Sequence, residues 1–115
     1  LFRLTARLQK RHRLPMACFG HAGDGNIHVN VMRNEADPAE HTRSEACLDD
    51  LFRGVLALGG VITGEHGVGL AKRRWWPDAV SPESRTLHQT IKSALDPAGI
   101  LNPGKFLSSP ASLKT

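Results

Sequence analysis

The 115-residue sequence lacks long apolar segments, a secretion signal and paired cysteine motifs. No apolar run approaches the roughly 20 residues of a transmembrane helix, and no signal-peptide pattern opens the chain. Cys18 and Cys47 stand apart without CxxC spacing, which argues against a zinc ribbon and a redox dithiol. We therefore expect reduced, buried thiols in a cytoplasmic protein without a membrane span.

Several catalytic signatures are also missing. The sequence contains no HExxH, no GxxxxGK[ST] and no GxSxG, which excludes the zincin, P-loop and nucleophile-elbow motifs. The glycine cluster over residues 64–69 does not follow the dinucleotide-binding fingerprint. Internal repeats and low-complexity blocks are absent as well, so the chain offers material for one modest domain.

The net charge of +4 raises the question of an anionic partner. The densest basic patch, Lys72-Arg73-Arg74, precedes two tryptophans, a combination that can contact phosphates and stack on bases. No nucleic-acid recognition motif accompanies the patch. We therefore expect no nucleic-acid partner, and interpret the patch as a solvated helix face or a clamp for an acidic small molecule.

Hydrophobic periodicity predicts an α+β domain, in which helices pack on one face of a small antiparallel sheet. Proline and glycine bound most of the predicted elements, and residues 23–26 are typical of a hairpin turn. A loop follows over residues 96–106, and residues 108–115 are expected to form a flexible tail. The predicted helices cover residues 1–13, 37–58, 68–76 and 81–95, and the predicted strands cover 16–19, 27–32 and 61–63.

Two polar, glycine-rich segments contain the candidate site residues. His21 and His28 lie on either side of the predicted hairpin turn, and Glu65 follows the predicted third strand. Two imidazoles and one carboxylate suit a zinc or ferrous centre and leave a coordination position open for substrate. The alternative is a pair of hydrogen-bonded loop histidines beside a solvated carboxylate, and spacing alone leaves both interpretations open.

The remaining histidines and the last turn allow further interpretations. His66 lies between glycines and is either an acid–base group or a capping or core residue. Asn102, Pro103, Gly104 and Lys105 form a rigid turn that either displays an amide and an ammonium or simply ends the domain. We expect three histidines to lie on exposed helix faces, namely His12, His41 and His88.

Three ordered motifs identify a resemblance that covers residues 16–106. Their order and spacing resemble the C-terminal cap domain of the FAD-linked oxidases of the vanillyl-alcohol oxidase type. The most similar branch contains the glycolate oxidase flavin subunit, D-lactate dehydrogenase and D-2-hydroxyglutarate dehydrogenase. The motifs are Gly20-His21-Ala22-Gly23-Asp24-Gly25-Asn26-Ile27-His28, Thr63-Gly64-Glu65-His66-Gly67-Val68-Gly69 and Asp96-Pro97-Ala98-Gly99-Ile100-Leu101-Asn102-Pro103-Gly104-Lys105.

The resemblance implies a role for each matching residue. By this likeness His21, His28 and Glu65 bind a divalent metal, zinc above all, and Asn30 contacts the substrate. His66 lies beside the flavin and removes the substrate's hydroxyl proton. The residues implied to approach FAD are Glu65, His66 and Asn102.

The same resemblance implies a partial ferredoxin-like fold for residues 1–107 and a small anionic 2-hydroxy acid as substrate, which the basic surface around Lys72 and Arg73 suits. The family's FAD-binding domain would precede Leu1 and supply most cofactor contacts, so this chain alone is expected to be inactive. Further implied partners are that domain and an electron-acceptor subunit, through which the protein would associate peripherally with the inner membrane. The rival hypotheses are a stand-alone metal- or ligand-binding module and a metal-dependent hydrolase.

Overall fold

The computed structural model describes residues 1–107, and the expected tail over 108–115 lies outside them. The chain divides into two compact units, the first covering Leu1–Gly64 and the second beginning at Glu65. Among the described residues, the first unit contains two α-helices and two strands, and the second contains two α-helices. In chain order these are α1 (Phe2–His12), β1 (Met16–His21), β2 (Asn26–Val31), α2 (Pro38–Ala57), α3 (Trp76–Ala79) and α4 (Pro82–Leu95).

The first unit begins with α1, whose apolar residues face inward. Leu4 and Leu8, one turn apart, are both buried. The helix ends where Arg13 adopts a left-handed conformation with φ of 53°, and Pro15 then prevents its continuation. The predicted helix over residues 1–13 is therefore confirmed.

The longest helix, α2, has the ends that the sequence predicts. The Asp37 side chain accepts a hydrogen bond from the Ala39 amide at 2.8 Å, which satisfies one of the unpaired donors of the first turn. Pro38 occupies the first turn, where its missing N–H is not needed. The helix ends before Gly59, whose φ of 75° is the left-handed geometry that glycine adopts most easily.

The two strands form an antiparallel hairpin, as predicted. Met16 pairs with Val31 and His21 pairs with Asn26, and a short 3-10 turn over Ala22–Asp24 joins the strands. Gly25 closes the turn with φ of 69°. Together with the helices of the first unit, this hairpin confirms the predicted α+β class with a small antiparallel sheet.

The core of the first unit lies where α1 and α2 cover one face of the hairpin. Leu14 and Cys47 are its most buried side chains, with 1% and 0% of their surface exposed. Both cysteines are free thiols, and Cys18 is only half-buried. Burial raises the pKa of the Cys47 thiol, and nearby Asp50 adds to the effect, so this thiol stays protonated. The buried cluster consists of Leu4, Leu8, Leu14, Cys47 and Leu51.

The predicted third strand over residues 61–63 is wrong. Among residues 1–107 the sheet contains β1 and β2, and residues 61–63 form an irregular segment. Val61 is 68% exposed and Ile62 is 6% exposed. The β-branched composition suits a strand, but a strand exists only through pairing with a neighbour. This segment buries one side chain and makes no ladder in the part of the chain that the structure describes.

The predicted helix over residues 68–76 is also wrong. Turns and a 3-10 segment at Arg73–Trp75 cover this region, and α3 then begins at Trp76. Pro77 lies in the first turn of α3, so it starts a helix instead of ending one. Gly67 and Gly69 have φ of 75° and 53°, which interrupts a right-handed helix before it can propagate.

The last helix, α4, begins as predicted. The Ser81 hydroxyl accepts a hydrogen bond from the Ser84 amide at 3.2 Å. Three apolar side chains at helical spacing, Leu87, Ile91 and Leu95, are exposed by half or more. None of the helices within residues 1–107 is both long and apolar enough to cross a bilayer.

The expectation for the three helical histidines is correct for His41, which is exposed, but wrong for the other two. The His12 side chain is only 10% exposed, and its Nε2 atom lies 2.9 Å from Asp50 Oδ2. Asp50 belongs to α2, so this contact depends on helix packing that α1 alone does not reveal. His88 is half-buried, with its ring 5.0 Å from that of Trp76.

Candidate functional site

The hairpin has two chemically different faces. Directly opposed residues of an antiparallel pair project to the same side, and successive residues alternate. Phe19 opposes His28, Ala17 opposes Asn30, and His21 opposes Asn26. These three pairs therefore share one face, which we call the polar face. The opposite face carries the residues that pack against the core, Met16, Val29 and Val31.

The predicted histidine ligands lie together on the polar face. The rings of His21 and His28 are 6.4 Å apart and nearly perpendicular, at 73°. His21 is exposed and His28 is half-buried, so the first ring can rotate without displacing a packed neighbour. Each ring offers a nitrogen of the kind that binds zinc at about 2.0–2.1 Å, and rotation of the exposed His21 ring changes the distance between the two nitrogens. The pair therefore fits two ligands of one divalent cation.

Phe19 limits the freedom of the second imidazole. Its ring lies 5.3 Å from that of His28, on the residue directly opposite in the ladder. A cross-strand aromatic contact of this kind holds both rings in place. Phe19 thus acts as a side support for His28, a role that the sequence alone does not indicate.

Gly20 allows the two strands to approach each other at this point. Its φ is 139°, and a Cβ atom there would lie 2.6 Å from the Asn26 carbonyl oxygen. Both the backbone conformation and the space therefore require glycine. The close approach brings β1 within reach of His28, since the same Cβ would lie 3.2 Å from His28 Cδ2.

We expect Gly20→Ala to lower the free energy of unfolding by about 1–3 kcal/mol, because alanine strains the backbone and meets a carbonyl oxygen. Gly23→Ala is the matched control in the same hairpin, since nothing lies within 4 Å of a Cβ at that position. Urea denaturation followed by circular dichroism measures both variants. Equal losses of stability would contradict the close approach.

The segment that leads to Glu65 passes against the polar face of the hairpin. A Cβ atom at Gly64 would collide with the side-chain oxygen of Asn26. Gly64 therefore lies directly against the residue that opposes His21. Glu65, His66 and Asn102 belong to the second unit.

In the second unit Glu65 and His66 contact each other. The Nε2 atom of His66 lies 3.2 Å from Glu65 Oε1, and both side chains are exposed. A carboxylate offers about four lone-pair positions on two oxygens. Glu65 can therefore contact His66 and coordinate a cation at the same time.

The basic patch has a structural contact as well as charge. Arg73 donates from NH1 to the Gly104 carbonyl at 3.0 Å, and the Arg74 guanidinium stacks 4.1 Å from the Trp75 ring centre. Burial lowers the pKa of Lys72. Sequence reasoning found only that the basic surface around Lys72 and Arg73 suits an anionic substrate, and the structure shows that Arg73 also holds the loop containing Asn102.

Asn102 is exposed and has φ of 48°, in the left-handed region that asparagine tolerates better than most residues. Asp96 accepts hydrogen bonds from the Ile100 and Leu101 amides at 2.9 and 3.0 Å. Sequence reasoning missed Asp96 and its partner Lys92. The signal was available, because Lys92 and Asp96 stand four residues apart at the end of a predicted helix.

The chain shares its sequence pattern with flavin-dependent proteins. Residues 1–106 match the model for FAD linked oxidases, C-terminal domain. The chain is 37% identical over 101 residues to glycolate oxidase subunit GlcD of Bacillus subtilis, covering 88% of this chain and 22% of that protein. It is 33% identical over 103 residues to D-lactate dehydrogenase of Anaerostipes hadrus, covering 89% and 22%.

D-2-hydroxyglutarate dehydrogenase of Stutzerimonas stutzeri is 38% identical over 93 residues, covering 79% of this chain and 20% of that protein. The chain thus spans about a fifth of the length of the relatives it matches. The resemblance inferred from the three motifs is confirmed, and with it the link to FAD. The chain belongs to the family of FAD-linked oxidase C-terminal domains.

Proposed function

We propose that this chain is the metal- and substrate-binding part of an FAD-dependent oxidoreductase that converts a small 2-hydroxy acid, of the glycolate or D-lactate type, to the 2-keto acid. One observation carries the proposal. His21, His28 and Asn30 occupy the same solvent-side face of the hairpin, in a chain of the FAD-linked oxidase family. The names of the relatives, glycolate oxidase and D-lactate dehydrogenase, support the substrate class.

His21, His28 and Glu65 would hold a divalent cation, and zinc matches two imidazoles and a carboxylate. The 6.4 Å separation of the two rings supports this assignment. When bound, the cation supplies a Lewis acid that lowers the pKa of the substrate hydroxyl. Asn30 follows His28 by two residues on the same face, where its amide would donate to an oxygen of the substrate.

His66 would accept the hydroxyl proton of the substrate. Its Nε2 atom faces the Glu65 carboxylate at 3.2 Å, and a hydrogen bond donated there leaves Nδ1 as the proton acceptor. FAD, when bound, supplies the acceptor for the α-hydrogen and its two electrons. Asn102 would contact the flavin from a rigid turn, and Lys72 would attract the anionic substrate.

Most contacts to FAD would come from a flavin-binding domain of the same protein, and a separate subunit would accept the electrons. We also propose a cytoplasmic location with peripheral association at the inner membrane through such a partner. Without the flavin-binding domain we expect residues 1–107 to be catalytically inactive, because 2-hydroxy acid oxidation needs the electron acceptor that FAD provides.

The proposal is tested by the visible spectrum of the full-length gene product under anaerobic conditions. We expect a flavin spectrum that bleaches within seconds of adding glycolate or D-lactate, because two electrons move from substrate to flavin. The enantiomer L-lactate is the matched control. Absence of flavin from the purified protein would contradict the oxidoreductase assignment and favour a stand-alone metal- or ligand-binding module.

A further inference from the structure

The backbone of the turn that contains Asn102 has an unusual conformation. Asn102 has φ of 48° and directly precedes Pro103. Residues before proline prefer extended conformations, because the proline ring crowds their backbone and Cβ atom. A left-handed residue at such a position persists only where the surrounding structure holds it. The second unit must therefore contain groups that hold this turn.

Asp96 is the first of these groups. It is only 4% exposed, and its carboxylate accepts from the Ile100 amide at Oδ1 and from the Leu101 amide at Oδ2. The Lys92 ammonium also donates to Oδ2 at 2.5 Å. This bond to Lys92 is the main cause of a lowered pKa of Asp96, and the two amides contribute. The buried carboxylate is thus ionised at neutral pH, and both of its oxygens accept hydrogen bonds.

Lys92 is the second group. Its ammonium donates both to Asp96 and to the carbonyl of Leu101, the residue before Asn102. Both polar groups of the Leu101 backbone are therefore fixed, the amide by Asp96 and the carbonyl by Lys92. The pair restrains the chain immediately before the left-handed residue.

Arg73 restrains the chain on the other side. It donates to the carbonyl of Gly104, two residues after Asn102. The exposed Asn102 amide thus projects from a turn that is anchored at Leu101 and at Gly104. Neither anchor contacts the amide itself in the bonds described, so each acts through the backbone.

We propose that Asp96 and Lys92 are positioning residues that hold the Asn102 amide in place for the flavin. The inference rests on the proposed contact between Asn102 and the flavin. By this inference Asp96 and Lys92 contribute to the reaction without touching substrate or cofactor. Their effect on the reaction is exerted through the conformation of a single residue.

A double-mutant cycle in the full-length protein tests the inference. We expect Asp96→Asn to slow flavin reduction by 2-hydroxy acid about tenfold or more, because displacement of a positioning group by about 1 Å has large effects on rate. In the Asn102→Ala background the same substitution should change the rate less than about twofold, because the amide that it positions is gone. Asp78→Asn, an exposed carboxylate on α3, is the matched control.

Lys92 provides a second, independent measurement. Lys92→Met should slow flavin reduction and lower the hydrogen-exchange protection of the Leu101 amide, because Asp96, which accepts from that amide, loses its ion-pair partner. Lys92→Arg should retain most of both. Circular dichroism of each variant confirms that α4 is intact. A merely structural pair would produce no dependence on the residue at position 102.

The outcomes separate the two hypotheses. If Asn102→Ala slows flavin reduction and Asp96→Asn slows it equally in both backgrounds, the positioning role is overturned and the flavin contact stands. If Asp96→Asn leaves the rate unchanged, the positioning role is likewise overturned. If Asn102→Ala itself reduces flavin at the normal rate, the proposed flavin contact fails, and the positioning role fails with it.

Discussion

Replacing His28 with alanine is expected to weaken zinc binding by about 100-fold or more, because loss of even a residue that supports a metal ligand costs about 10–100-fold. His28 shares the polar face of the hairpin with His21 and lies 6.4 Å from it, ring to ring. Isothermal titration with zinc, together with the metal content of the purified protein, measures the effect.

The same substitution should leave the fold largely intact. His28 projects away from the core, and its described ring contacts are with Phe19 and His21, so we expect a change of about 1 kcal/mol or less in the free energy of unfolding. His41→Ala is the matched control, because His41 is exposed on α2 in the same unit. Unchanged metal content in the His28→Ala protein would contradict the assignment of His28 as a metal ligand.

Replacing His66 with alanine in the full-length protein is expected to slow flavin reduction by about 100- to 10,000-fold, the usual contribution of a general base. Metal content should be unaffected, because His66 is not among the proposed ligands. Stopped-flow measurement of flavin bleaching after mixing with the 2-hydroxy acid reports the rate directly. Added imidazole should restore part of the rate by supplying the missing proton acceptor.

Two controls separate a lost base from a disturbed loop. His41→Ala should reduce flavin at the normal rate. Glu65→Gln, which removes the charge beside His66 and a proposed metal ligand, should lower metal content where His66→Ala does not. A normal rate of flavin reduction in the His66→Ala protein would remove its role as base.

Local signals in the sequence predicted most helix ends and the hairpin correctly. Asp37 and Ser81 cap the helices that follow them because capping involves residues only two or three positions apart. The hairpin followed from a short apolar run before a glycine-rich turn and an alternating apolar segment after it. Its register then fixes the proximity of His21 and His28, which is why the closeness of these two rings was predictable.

The errors concern features that depend on distant residues or on ambiguous signals. Residues 61–63 have strand composition, but strand formation needs a partner that local sequence does not specify. Pro77 is compatible with both the end and the start of a helix. The contact between His12 and Asp50 joins residues 38 positions apart. Asp96 was missed because two of its three described partners are backbone amides, which the sequence does not reveal; the four-residue spacing from Lys92 was its one sequence signal.

The alternation along β2 places neighbouring residues of the sequence on opposite faces of the hairpin. Ile27, Val29 and Val31 face one side of the hairpin, and Asn26, His28 and Asn30 face the other. Substitution in the first set would act on stability, whereas substitution of His28 or Asn30 in the second set would act on the proposed metal and substrate contacts. A slip of one residue in the ladder would exchange the two sets. The folded register therefore determines which residues form the polar face and which pack against the core.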